Sequence, residues 1–258
     1  MTTRTAFRLV LATLSLCAFA VMAEDPEPAE ADDGLFSTGL FEGWKRELDI
    51  GINGSDGNSQ SLSAHVGFKS DYQDKEKVWK FRTAYDNASS DGEESRNQFF
   101  ADLERDWLWS DSPWFAFAQG RYDWDEYKDW DHRITLSAGP GYQFVKNNTW
   151  DISGRVGIGG NQTYGDEDEE FTPEALLGMH VGWTISERES VEFNTTFYPS
   201  LDNGGEYRNL TTLDWKMKMN ENGKLAMKIG LSNEYDSQAT GDVEKNDFTY
   251  YFALVWAM

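Results

Sequence analysis

The sequence is poor in cysteine, in histidine and in positive charge, and past its first two dozen residues it contains no long apolar run. Each shortage excludes something. A single cysteine, Cys17, leaves no possibility of an intrachain disulfide. The three histidines, His65, His132 and His180, fall on separate segments, and no spacing among them suits a metal centre. Lys and Arg number 23 against 45 Asp and Glu, a formal net charge of −22. Such a balance argues against nucleic acid as a partner and suits a surface that attracts cations. A transmembrane helix needs roughly 20 apolar residues in a row, and no stretch after residue 23 supplies them.

The first residues read as an address. Arg4 and Arg8 precede an uncharged apolar stretch, Leu9 to Val21, and Val21-Met22-Ala23 has the small residues of a cleavage site. This predicts a secretory signal peptide over 1–23, too short in its apolar part to span a bilayer. Cys17 lies inside that stretch behind Leu16, where a lipoprotein signal wants a small residue. Residues 24–40 carry Pro26, Pro28 and several acids, and are expected to be a disordered acidic linker.

What is present from there on is alternation. In the last stretch, Lys245–Met258, every second residue is apolar or aromatic: Phe248, Tyr250, Phe252, Leu254, Trp256 and Met258. A period of two marks a strand with two unlike faces. Twelve such segments follow Trp44. In Trp44–Asn53, Leu48, Ile50 and Ile52 oppose Glu47 and Asp49. In His132–Phe144, Ile134 and Leu136 oppose Arg133 and Thr135. In Tyr207–Met219, Leu213, Trp215 and Met217 oppose Asp214 and Lys216. The fifth segment, Trp114–Trp124, leaves its apolar face open between Phe115/Phe117 and Trp114/Tyr122/Trp124.

The gaps between segments differ by parity. Even gaps are short: 70–77, Ser110–Pro113, Lys146–Asn148, Ser186–Glu189 and Asn220–Gly223. Odd gaps include the longest and most acidic stretches: Asn87–Arg96, Asp125–Asp131, Asn161–Thr172, Pro199–Glu206 and Asp236–Glu244. A barrel with tight periplasmic turns and long outer loops has this parity. Tryptophans gather at segment ends, among them Trp107, Trp109, Trp114, Trp150, Trp183 and Trp256, where a membrane places amphipathic rings. The predicted fold is therefore all-β: one antiparallel up-and-down transmembrane β-barrel of about twelve strands over 41–258, its last strand closing on its first.

The polar faces then line an enclosed interior. Lys80, Arg82, Asp102, Glu104, Arg133, Arg155, Arg208, Asp214 and Lys216 are the expected lumen-lining residues, with Glu47 and Glu192 beside them. Charges enclosed in a barrel must pair or be wet. Either a narrow wet pore or a salt-bridged plug satisfies that. The acidic run Asp166, Glu167, Asp168, Glu169 and Glu170 is expected to attract cations diffusely, shared with neighbouring lipopolysaccharide phosphates; it lacks the ligand alternation and glycine of an EF-hand. The glycines of segments six and seven, among them Gly139, Gly141 and Gly157, suit tight curvature or room for a large neighbour. No motif singles out a serine, although spacing alone leaves open a Ser–His–acid arrangement like that of barrel lipases.

Two stretches also carry a family likeness. Leu48-Asp49-Ile50-Gly51 followed by Gly54-Ser55-Asp56-Gly57-Asn58-Ser59 resembles the opening glycine pattern of the DUF481 family, whose YdiY-like members are labelled salt-induced outer membrane proteins. Asp131-His132-Arg133 with Gly139-Pro140-Gly141-Tyr142 resembles its central segment. The resemblance runs from about residue 41 to 258. It implies an outer-membrane barrel and carries no catalytic residues to transfer. Met258 stands where such barrels usually end in Phe, which leaves recognition by the barrel assembly machinery to Trp256 and Phe252. The expected role is structural or weakly cation-conducting, without cofactor, in contact with outer-membrane lipid, lipopolysaccharide and small cations. The rivals are a lipid-modifying outer-membrane enzyme and a soluble secreted β-sandwich that binds a ligand.

Overall fold

The computed structural model describes residues 43–55, 61–165, 171–239 and 243–258. The expected signal peptide, the acidic linker and the run Asp166–Glu170 lie outside the described residues. Among those described, twelve strands form one closed antiparallel barrel. They are β1 (Lys45–Ser55), β2 (Ser61–Gln73), β3 (Lys77–Ser90), β4 (Glu93–Leu108), β5 (Trp114–Asp125) and β6 (His132–Lys146). The second half comprises β7 (Trp150–Tyr164), β8 (Phe171–Thr184), β9 (Glu189–Pro199), β10 (Tyr207–Lys218), β11 (Leu225–Asp236) and β12 (Asn246–Ala257). Each strand pairs with its sequence neighbours, and β1 meets β12 with Leu48 opposite Trp256 and Ile50 opposite Leu254. Closure leaves no edge, so each strand's backbone groups find partners on both sides without water.

The burial pattern is that of a soluble protein turned inside out. Along β6, Arg133, Thr135 and Ser137 are buried while Ile134 and Leu136 are exposed. Along β12, Ala253 and Val255 are buried while Phe252, Leu254 and Trp256 are exposed. Charged groups almost never bury in a soluble core, and soluble monomers rarely expose a continuous apolar surface. A hydrocarbon surround reconciles both faces, so the barrel is one that crosses a membrane. The end-of-strand tryptophans Trp107, Trp109, Trp114, Trp150, Trp183 and Trp256 lie on the exposed side.

β5 settles its ambiguity by facing Phe115 and Phe117 inward, both buried, and Trp114 outward. One predicted loop is different: residues Asn87–Arg96 are mostly ladder. β3 runs to Ser90, β4 starts at Glu93, and Ser90 pairs with Glu93 across a two-residue turn. Asp91 and Gly92 hold φ of 52° and 85°, the signature of a type I′ hairpin turn. Polar strand residues that stand above the lipid lose their apolar alternation, which is why this hairpin reads as loop. Gly92→Ala should strain the turn by about 1 kcal/mol. Hydrogen exchange should speed up at the tip of that hairpin and stay unchanged in β10–β12; uniform acceleration would contradict a local role. On the opposite end, the turn between β2 and β3 is set by Asp74, which accepts hydrogen bonds from the amides of Glu76 (2.8 Å) and Lys77 (2.9 Å). Those amide bonds hold the half-buried Asp74 carboxyl below its ordinary range.

Candidate functional site

Inward side chains meet across the barrel in ion pairs. Lys69 on β2 reaches Glu192 on β9, 3.0 Å between Nζ and Oε2, and Arg82 on β3 approaches the same carboxylate at 3.7 Å. The shorter way round from β2 to β9 passes β1, β12, β11 and β10, so the contact spans nearly a full diameter. Beside it Glu104 receives Lys80 at 2.7 Å and both guanidinium nitrogens of Arg155, which also reaches Asp106 at 3.2 Å. Lys216 binds Glu47 at 2.7 Å, and Lys228 binds Asp49.

A second diametric contact lies toward the loop end. Arg133 on β6 donates to Asp236 on β11 at 2.7 Å, stands 3.5 Å from Glu234, and packs 4.1 Å over the Trp130 ring. Nearby, Arg208 donates to both oxygens of Glu174 at 2.9 and 2.8 Å, and to Thr135 at 3.4 Å, with each side chain only 2% exposed. Two expected lining acids have neutral partners: Asp102 accepts from Gln119 at 2.6 Å and Asp214 from the Tyr251 hydroxyl at 3.1 Å.

One sector is dry. Phe115, Phe117, Leu176 and Tyr198 form a buried cluster, flanked by Leu108 and Leu210. The glycines of β6 and β7 make room for it. A Cβ on Gly157 would stand 2.9 Å from Cζ of Phe117, and one on Gly141 would run into the Phe115 ring. The wet space is displaced to the other side. An inner chamber of about 320 Å³ is lined from β1–β5 and β9–β12 and from Trp130, with no residue of β6, β7 or β8. A second chamber of about 840 Å³ opens at the turn end. Among the described residues the inner lining carries nine carboxylates against five lysines and arginines, whereas the turn-end lining carries five against seven. The two chambers share Lys69, Arg82, Ser190 and Glu192.

Asp102, Asp214 and Lys216 face the inner chamber, Lys80 and Arg155 the turn-end chamber, and Arg82 both. Glu104, Arg133 and Arg208 line neither and are locked into buried pairs. None of Lys69, Asp49, Lys228, Glu174 and Asp236 was among the lining residues expected from the sequence. Alternation contained the signal for all of them: Lys69 is in phase with His65, and Lys228 opposes Met227 and Ile229. Trp130, from a connection, carried no such signal. Among the described residues the histidines form no triad with serine: His65 binds Asp86 at 2.7 Å and stacks on Tyr251, His180 binds Asn194 at 2.8 Å, and His132, outside, meets the Tyr122 hydroxyl at 2.8 Å.

Among solved structures, the NanC porin is similar with a TM-score of 0.50 at 10% identity, covering 82% of this chain and 99% of that one. An outer membrane channel from Pseudomonas putida F1 has a TM-score of 0.47 at 9% identity, covering 83% and 94%. The translocator domain of the autotransporter NalP from Neisseria meningitidis has 0.45 at 11%, covering 87% and 91%. At 10% identity the likeness to the NanC porin is one of fold. No curated protein matches the chain. Residues 48–257 match the family described as "Protein of unknown function, DUF481".

Proposed function

The chain belongs to the DUF481 family, as its glycine motifs implied, and on that premise we propose that it is an outer-membrane barrel that conducts small ions weakly and prefers cations. The observation that carries the reading is the pair of chambers. A structural plug would be dry from end to end; here two wet spaces adjoin at side chains that remain 28–30% exposed. The inner chamber's excess of carboxylates supports the cation preference, since fixed charge concentrates the counter-ion. The narrowness supports weak conduction: twelve strands lie between side-chain-filled small barrels and open porins.

The reading assigns no reaction to the protein and no cofactor. Its apolar belt meets lipid, the acidic loop residues share divalent cations with lipopolysaccharide phosphates, and Trp256 and Phe252, both exposed on β12, face the assembly machinery. The test is a planar bilayer under a KCl gradient. Small discrete steps with a reversal potential on the cation side are expected. A heat-modifiable, correctly inserted barrel that passes no current, or one that selects anions, would overturn the proposal.

A further inference from the structure

We propose that Glu192 sets the ion selectivity of this barrel, acting as the carboxylate that faces both chambers from a wet bar that crosses the lumen between them. The inference deepens the channel reading and rests on it. Three observations meet at this residue.

The first is position. Among the described residues, Lys69, Arg82, Ser190 and Glu192 line both chambers, so an ion moving from one chamber to the other passes them. Their pairing closes the span from β2 and β3 to β9. The second is wetness. Lys69, Arg82 and Glu192 keep 28%, 29% and 30% of their side-chain surface exposed, whereas the Arg133–Asp236 bar keeps 4% and 8%. The loop-end bar is a strut; the Glu192 bar is bathed from both sides. A partly exposed ion pair holds less tightly than a sealed one, so its members can part and re-form around a passing ion more readily than those of the strut.

The third is the balance of charge. Glu192 stands between two cations, 3.0 Å from Lys69 and 3.7 Å from Arg82, and the other nearby acid of the bar, Asp71, touches Lys69 alone at 3.5 Å. With Glu192 ionised the bar carries two positive and two negative charges. Removing that one charge leaves Arg82 and Lys69 facing the passage with a net positive sign. The bar also marks where the lining changes character, from acid-rich within to base-rich at the turn end. A small change of charge at such a boundary decides which ion crosses it, because a unit charge acts there at contact range.

The experiment is reversal-potential measurement on the full-length protein, purified and reconstituted, with heat-modifiability confirming that each variant is folded. Glu192→Gln should carry the potassium-to-chloride permeability ratio from above one to below one, a change of about fivefold or more. Lys69→Gln should move the ratio the opposite way, and Lys69→Gln with Glu192→Gln should return it toward wild type. A merely structural role for the pair would shift both single variants in the same direction. In a Cys17→Ala background, which removes the chain's only cysteine, Glu192→Cys should lose most of its current when a positively charged methanethiosulfonate is added. A conducting protein whose ratio is unmoved by Glu192→Gln and Lys69→Gln, or whose Glu192→Cys form ignores the reagent, overturns the assignment of Glu192 and leaves the channel reading intact. A folded wild-type barrel without current overturns the channel reading, and this inference falls with it.

Discussion

Glu174→Ala should destabilise the barrel by about 3–5 kcal/mol, the usual cost of stripping one partner from a fully buried ion pair. The arithmetic is local. Arg208 is 2% exposed and gives its two strongest hydrogen bonds to Glu174; only Thr135, at 3.4 Å, would remain. A guanidinium cannot shed its proton to escape burial, so it must drag in water or leave the site. Replacing both partners with methionine should recover most of the loss, since the pair's own desolvation then disappears as well. Urea titration in detergent micelles, with the slope held equal between variants, reads the change. An effect of Glu174→Ala below about 1 kcal/mol, the range of exposed pairs, would mean that the site is wet.

Phe117→Ala should cost about as much, roughly 3–5 kcal/mol, and should also raise single-channel conductance. Phe117 is 1% exposed, pairs with Gly139 on β6 and lies over Gly157 on β7, so on that side no side chain stands ready to fill the space it leaves. The dry cluster of Phe115, Phe117, Leu176 and Tyr198 is what pushes the inner chamber off-centre. Tyr198 belongs to that cluster and also lines the chamber, so a hole beneath it adjoins the wet space. Phe117→Leu should lose less stability and widen the passage less. Unchanged current together with unchanged urea midpoint would show that the cluster neither supports the wall nor limits the passage.

The fold was legible because a barrel asks only one thing of each strand: period two with the right phase. The twelve segments and their order agree with the twelve strands, and β12 closes on β1. Where the sequence left a face open or misled, a physical reason is visible. β5 is apolar on both faces, because its inner face packs phenylalanines against the glycines of β6 and β7; nothing within β5 itself distinguishes the two sides. The β3–β4 hairpin reads as loop because beyond the lipid its outer face has no reason to be apolar. The expected lumen residues share one phase but not one role: Arg82 is bathed by both chambers, while Arg208 is sealed.

By itself, then, the chain's alternation determined topology and which side of each strand faces inward, since a slip of one residue would turn every charge toward lipid. It could not determine who meets whom. Lys69 and Glu192 are 123 residues apart in sequence, and their contact depends on the height at which each strand crosses the wall. That height follows from the tilt and stagger adopted when the sheet closes, a property of all twelve strands together and of none alone. The placement of the dry lobe, the two chambers and the bar between them was decided only at that closure.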